Sequence, residues 1–417
     1  MYSLATIAPL YISEIAPPEI RGALLVLQEL SIVFGIVVAF WTTYGTRYMV
    51  GEWSWRLPFL LQMVPGLVLG VGIFFLPFSP RWLSSQGRND EALQVLSQLR
   101  RLPPSDPRVF QEWCEIRAEV AFKQEINRER HPQLQAPTRA NRFKLELASW
   151  ADCFRHGCWK RTVVGVGVMF FQQFVGINAL IYYSPSLFET LGQGYEMQLL
   201  LSGIINCTQL LGVVTSLWTM DRCGRRPLLL VGAALMFICH LIIAVLVGKF
   251  GGRWASFPTE GWVAVAFLFF YMFSFGATWG PVPWAMPSEI FPSSLRAKGV
   301  ALSTCSNWLN NFIIVCPLLA PYFSAQRCTN THYKGLITPP LIQNTGAGAY
   351  TFFAVFCLLA FVFTFFCVPE TAGMTLEEMD EVFKDISSEA EEQKKTRIMA
   401  DIAQGRCSGD DYIKVLG

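Results

Sequence analysis

Long apolar runs separated by short polar loops dominate this chain. Such runs recur at residues 22–45, 56–78, 161–190, 198–220, 227–249, 261–287 and 345–368. Each is close to the ~20 mostly apolar residues that a helix needs to cross a hydrocarbon core. Two weaker segments join them: residues 1–16 read as the end of a helix, and residues 298–314 as the start of one that then turns irregular. Together they make roughly nine membrane segments, and helices suit them because a helix closes its own backbone hydrogen bonds where no water can do so. The pattern predicts an all-α membrane protein.

The polar stretches add organisation. Residues 79–160 form a polar linker, in which Asn89 and Asp90 can cap an amphipathic helix bearing Leu93, Leu96 and Leu99 on one face. Two or three short surface helices are expected there. Lys and Arg alternate between loops: Arg21, the stretch from Arg81 to Arg161, the Arg222, Arg225 and Arg226 cluster, and Arg296 with Lys298 fall in every second loop, while residues 191–197 carry no positive charge. Positive charge favours the cytoplasmic side, so those loops and the tail after Pro369 are expected inside, and the first segment enters from outside. SEIAPPEIRG, starting at Ser13, is echoed by SEIFPSSLRAKG, starting at Ser288. Internal repeats of this kind build two-bundle carriers with the solute site between the bundles at mid-membrane. Three helices after the linker precede the second copy and none precedes the first, so equivalence of the repeats predicts three helices and part of a fourth ahead of Met1. The expected division is 1–78 for the N-terminal bundle, 79–160 for the linker, 161–368 for a six-helix bundle and 369–417 for a cytoplasmic tail.

Composition narrows the function. Of 417 residues, 52% are hydrophobic and 15% charged, against roughly 25% charged in ordinary soluble domains. A net charge of +2 supplies no basic field for nucleic acid. The 12 cysteines are scattered, with neither zinc-ligand spacing nor disulfide density, and read as small core residues. Arg21 is the first basic residue, so no charged region of a cleavable signal peptide precedes the opening apolar run. No nucleophile elbow, phosphate-cradling glycine loop or acid pair outside charged loops and tails is found. An enzyme is not expected, nor a cofactor or metal.

Polar side chains inside apolar runs are costly unless paired or functional. In FFQQFVGINALIYYS, Gln172, Gln173 and Asn178 share one helix, followed by Tyr182 and Tyr183. An amide both donates and accepts, as a sugar hydroxyl does; the blander reading is that these amides glue helices together. Gly176 breaks the side-chain wall beside them. Trp284 ends GPVPW, where Pro281 and Pro283 predict a hinge. Its indole could stack on a pyranose face while its N–H donates, whereas Trp279 suits an interfacial belt. Asn307 and Asn311 lie four residues apart on one face, lining a site or pairing with a neighbouring helix. Glu29, the one carboxylate deep in its segment, is a candidate proton carrier or a hydrogen-bonded glutamate with no proton role. His240 reads as packed. Asp221, Arg222, Arg225 and Arg226 in DRCGRR, with Gly224 permitting a tight turn, could meet Glu14 and Glu289 in a latch that breaks when the cytoplasmic side opens.

QQFVGIN, DRCGRR, GPVPW with the following PSEIFP, NWLNNF, PFSPRW and PETAGMTLEEMDEVF together resemble the sugar porter family of the major facilitator superfamily, particularly its fungal hexose transporters. The resemblance covers nearly the whole chain. It implies a major facilitator fold of two helix bundles, the N-terminal one truncated, with residues 22–45 as the fifth helix. It also implies sugar contacts at Gln172, Gln173, Asn178, Trp284, Asn307 and Asn311, and at Gln209, where many members carry Asn. Arg21, Arg81 and Arg296 fall among its latch positions. Glu29 replaces a sugar-binding Gln of many members, and Phe78 replaces the Glu of PESPR, removing one latch partner. Residues 315–334 interrupt the eleventh helix with Pro317, Pro321, Arg327 and Lys334, where each charge costs roughly 2.5–3.5 kcal/mol on insertion scales. Such a segment is expected of a retained intron or gene-model error. The implied function is alternating-access transport of a sugar or polyol, hexose by default, by uniport or proton symport, in the lipid bilayer of the plasma membrane. The other readings are a non-transporting sugar sensor, which the short acidic tail weighs against, and an inactive truncated product.

Overall fold

The computed structural model describes residues 11, 12, 14, 15, 21–134, 138–155, 158–292, 295–315, 347–372, 379, 382, 383 and 386–403, with no strand among them. In chain order the helices are α1 (Arg21–Thr46), α2 (Trp53–Gly72), α3 (Pro80–Ser85), α4 (Asn89–Arg100), α5 (Pro107–Arg130), α6 (Arg139–Ala151), α7 (Trp159–Phe174), α8 (Ile177–Thr190), α9 (Tyr195–Cys223), α10 (Arg225–Phe250), α11 (Pro258–Ala277), α12 (Val282–Ile290), α13 (Arg296–Val315), α14 (Ala347–Cys367) and α15 (Ile386–Ala403). Among the described residues, 7 spans are long and apolar enough to cross a membrane, and they coincide with the seven strong apolar runs. The weaker 298–314 segment is helical, as α13. The interruption expected over 315–334 and most of residues 1–16 lie outside the described residues.

Two spans are each built from two helices. Between α7 and α8 the chain turns at Gly176, with φ +104°, and a Cβ there would come 2.9 Å from the Phe353 ring; only glycine meets both conditions without strain. Between α11 and α12 the break runs over Thr278–Pro281, next to Pro283, which has no N–H to continue the ladder. The helix break expected at GPVPW is therefore present.

The main core lies among α7–α14. There α10 packs on α14 and α11, α9 on α11, and α7 on α13. Val168, Met236, Tyr271, Met272 and Trp279 are fully or almost fully buried in it. Trp279 is no belt residue, contrary to the sequence expectation. Its ring is 0% exposed and its Nε1 donates to Leu229 O at 2.9 Å. The earlier part of the chain joins this core through α1, which lies against α9. Helix α2 packs on α1 and buries none of its residues, leaving Phe59, Leu67 and Val68 outward, the all-round apolar character of a membrane span.

The linker is longer-built than the two or three short helices expected, because α5 alone runs 24 residues. Its start is fixed by Asp106, whose carboxylate accepts from Arg108 N at 2.9 Å, and by Pro107 at the first position. Asn89 opens α4 as its first residue and not as its cap; its side-chain oxygen accepts from Ser84 Oγ at 3.2 Å. Leu96 of α4 meets Val109 and Ile116 of α5. The tail helix α15 returns to α5, where Ile398 and Ile402 pack on Cys114, Ala118, Phe122 and Ile126 and Lys394 pairs with Glu125 and Glu129.

Gly176→Ala should lower the unfolding midpoint of the detergent-solubilised chain, since strained backbone of this kind costs roughly 1–3 kcal/mol. Phe353→Ala in the same chain should return only the part due to the ring. A midpoint unchanged by Gly176→Ala would refute the strained turn.

Candidate functional site

The helix breaks create acceptors. A carbonyl in a helix bonds the N–H four residues on, but the partner of Trp279 O would be Pro283, which has none, and Trp284 N bonds Pro281 O instead of Gly280 O. Two carbonyls are thus left in a dry interior, where an unmet polar group is expensive. Gln172 Nε2 donates to both, Trp279 O and Gly280 O, each at 2.9 Å. The other break behaves alike: Val175 O accepts from Tyr271 Oη at 2.8 Å and from His240 Nε2 at 3.2 Å. A carbonyl can only accept, so Nε2 carries the proton. His240 is 0% exposed and packed, as the sequence suggested.

From Gln172 a chain of amides crosses three helices. Asn178 Nδ2 donates to Gln173 Oε1. Gln173 Nε2 donates to Asn307 Oδ1 at 3.0 Å, and Asn307 Nδ2 donates to Gln172 Oε1 at 2.6 Å. The turn at Gly176 is what brings Asn178 of α8 back to Gln173 of α7. Glu29 on α1 is buried, and its Oε1 lies 3.6 Å from where a Cβ on Gly280 would stand, so the carboxylate faces the same break that Gln172 holds. Gln209 on α9 is buried, its Oε1 without a hydrogen-bond partner, and its backbone carbonyl lies against Gly276 of α11, one turn before that break. Trp284 and Asn311 are half-buried and form no side-chain hydrogen bond to the amide chain. Tyr182 points outward, exposed, and Tyr183 packs on the core. Asn206 was missed in the sequence reading. It lies one turn from Gln209 on the same helix face, buried, with Oδ1 also unpartnered; its i, i+3 spacing was the available signal.

The charged rim is assembled differently from the latch expected. Arg225 Nη2 meets Glu289 Oε1 at 3.0 Å, and Thr371 Oγ1 donates to Glu289 Oε2 at 2.5 Å. Glu14 forms no ion pair among the described residues, Arg222 is exposed, and the side chains of Arg21 and Asp221 lie outside the described residues. Arg226 Nη2 donates to Phe365 O at 2.7 Å. Gly224 makes the turn between α9 and α10 at φ +87°, and a Cβ there would come 2.6 Å from Glu370 Oε2. The Glu370 carboxylate accepts the backbone N–H groups of Arg225, Arg226, Thr371 and Ala372, an anion seated at the start of α10.

With Phe78 stacked on Trp82, the partner of Arg81 comes from the linker: Glu119 of α5. Lys123 lies 3.0 Å from the same carboxylate. Burial works against the Glu119 charge, but Arg81, Lys123 and Arg296 outweigh it and hold the carboxyl down at about 2. Arg81 stands at the start of the linker and Arg296 follows α12, so this carboxylate of α5 answers cations of its own linker and one from beyond α12. Glu119 does not stand out in sequence, because it is one acid among many in a polar stretch; Glu370 lies within the PETAGMTLEEMDEVF motif, which marks it without giving it a role.

Interrupted membrane spans, a buried amide cluster at the breaks and an ion-paired basic rim are features of the major facilitator fold, a carrier architecture and not an enzyme's. The chain belongs to the family described as Sugar (and other) transporter, which residues 3–383 match. It is 31% identical to an MFS glucose transporter of Aspergillus flavus, over 91% of this chain and 68% of that one. It is 33% identical to a probable quinate permease of Aspergillus fumigatus, over 91% and 65% respectively. The chain thus spans about two thirds of the length of these relatives. In structure it resembles the proton:xylose symporter XylE bound to 6-bromo-6-deoxy-D-glucose, with TM-score 0.65, 27% identity and coverage of 90% of this chain and 70% of that one. The TM-score is 0.61 against a partially occluded inward-open form of the xylose transporter XylE from E. coli, at 26% identity and 89% and 69% coverage. These relatives are named as transporters and permeases, which leaves the sensor reading without support.

Glu119→Gln should lower the unfolding midpoint at neutral pH, through a loss of stability of roughly 1.5–3 kcal/mol for a charged hydrogen bond. Because the folded carboxyl is held below its ordinary 4.5, its stabilisation is complete above that pH and is lost as pH falls toward about 2. The wild type should therefore lose stability in that window and the variant should lack that component. Parallel acid profiles would refute the Arg81–Glu119 tie.

Proposed function

We propose that this membrane protein carries a hexose-like sugar by alternating access, with the site among Gln173, Asn178, Gln209, Trp284, Asn307 and Asn311, and Glu29 facing it from α1. The single observation that carries this reading is the amide chain Asn178–Gln173–Asn307–Gln172 anchored on a helix break. Gln172 has both donor directions committed to backbone carbonyls, so it acts as the positioning residue for its neighbours. Asn178 Oδ1, Gln209 Oε1 and the Trp284 indole keep hydrogen-bonding capacity for hydroxyls. Sugars are favoured because the named relatives include a glucose transporter and a symporter structure holding a halogenated deoxyglucose.

Alternating access is supported by the rim and by the α1–α9 contact. At one end Arg47 pairs with Glu196 and Trp41 Nε1 meets Cys207 Sγ at 3.3 Å; at the other Val26 packs on Met220 and Ala285. Arg81 and Glu119 both belong to the linker, so movement between bundles would leave that pair whole and alter the approach of Glu119 to Arg296, which follows α12. The bundles are read as residues 1–78 and 161–368, with the basic linker and the acidic tail on the cytoplasmic side of the plasma membrane.

Expression in a cell lacking its own hexose carriers should restore saturable uptake of labelled hexose; absence of uptake from a correctly inserted chain would sink the proposal. Gln173→Ala and Asn178→Ala should each raise KM roughly 2- to 12-fold, the worth of one net hydrogen bond, while insertion is unchanged, and wild-type KM in both would remove them from the site. Glu29→Gln should flatten the pH dependence of uptake if the carrier is a proton symporter working through this carboxyl. An unchanged profile assigns Glu29 no proton role.

A further inference from the structure

At the basic face of the membrane the start of α7, the start of α10 and the end of α14 enclose a cleft of about 450 Å³, lined by Trp159, Lys160, Arg226, Phe365, Phe366 and Phe383 among others, with no acidic side chain among its lining residues. Two cations stand at it, with no carboxylate paired to either among the described residues. Lys160 is exposed and has no ion pair among the described residues. Arg226 is fixed by the bond of its Nη2 to Phe365 O, while its buried Nε has no hydrogen-bond partner. Of the described carboxylates, Glu370 is taken up by four backbone N–H groups, and Glu289 by Arg225 and Thr371. Among the described residues the cleft therefore presents two cations and no carboxylate.

Its rim is apolar. Trp159, Phe365 and Phe366 are exposed, Phe366 at 78%, at the ends of helices that cross the membrane, where aromatic rings occupy the headgroup level. Phe143, Leu147 and Phe154, on the segment leading into α7, are exposed as well. A soluble anion would find the cations but leave the aromatic rim uncovered. A phospholipid answers both, with its phosphate between Lys160 and Arg226 and its acyl chains over Phe365 and Phe366; basic pockets between membrane helices on the cytoplasmic side suit anionic headgroups.

We propose that this cleft binds the headgroup of an anionic phospholipid of the cytoplasmic leaflet. The site is separate from the amide cluster, and its test does not depend on sugar transport. The purified chain in detergent would be titrated with dioctanoyl phosphatidylserine, dioctanoyl phosphatidylcholine and inorganic phosphate, with the rise of the unfolding midpoint giving an apparent affinity. Phosphatidylserine should bind at least several-fold tighter than phosphatidylcholine. Lys160→Gln should weaken it about fivefold, the worth of one cation at an anionic surface, and Lys160→Arg should keep it. Equal binding of the two lipids, or equal protection by phosphate alone at matched concentration, would overturn the proposal, the latter in favour of a free-anion site. Wild-type affinity in Lys160→Gln would do the same. Photoreactive phosphatidylserine should label peptides spanning 159–163 or 365–369 in the unmutated chain, and labelling confined elsewhere would place the lipid on another surface.

Discussion

A carbonyl oxygen with no helical partner, buried away from water, is the constraint around which this structure is organised. Breaking a membrane helix leaves such oxygens, and the bilayer offers nothing to bond them. Here the break between α11 and α12 is answered by Gln172 and the break between α7 and α8 by Tyr271 and His240. The polar residues in the middle of this bundle follow from those two gaps. Having been admitted to satisfy backbone, Gln172 provides an acceptor that draws in Asn307, and through it Gln173 and Asn178. A hydrogen-bonding cluster thus arises where a uniformly apolar helix would have none.

At the charged face a different economy operates. Three carboxylates there are occupied by cations or by backbone: Glu370 caps a helix start, Glu289 holds Arg225, and Glu119 answers several cations at once. Linker and tail are joined in turn by the packing of α15 on α5. The rim is held by long-range pairs between stretches that are remote in sequence.

That remoteness explains what the sequence could and could not disclose. Apolar run length marked the seven strong spans to within a few residues, because spanning a bilayer imposes a length that no local packing overrides. The amides at 172, 173, 178 and 307 were visible because a polar residue in an apolar run has few explanations. Trp279 was misread as a belt residue because an indole gives the same signal whether its N–H finds a headgroup or, as here, the carbonyl of Leu229. Glu119 was invisible for the opposite reason: in a charged linker one glutamate resembles the next, and only folding selects the one that faces Arg81. The length of α5 was likewise underestimated, since its buried face is narrow and interrupted by alanines such as Ala118 and Ala121.

The amide chain has a polarity. It terminates on Trp279 O and Gly280 O, which can only accept, so every amide along it must point its donor toward that end, and none can flip without leaving an oxygen facing an oxygen. The far terminus, Asn178, therefore offers its own oxygen outward. In the proposed site a solute would meet dipoles oriented before its arrival and would have to supply a hydrogen to complete them. Selection at that point acts on which hydroxyl can donate in the required direction, so two solutes of equal size and polarity but opposite stereochemistry at one carbon would be told apart there without any change in the shape of the cavity.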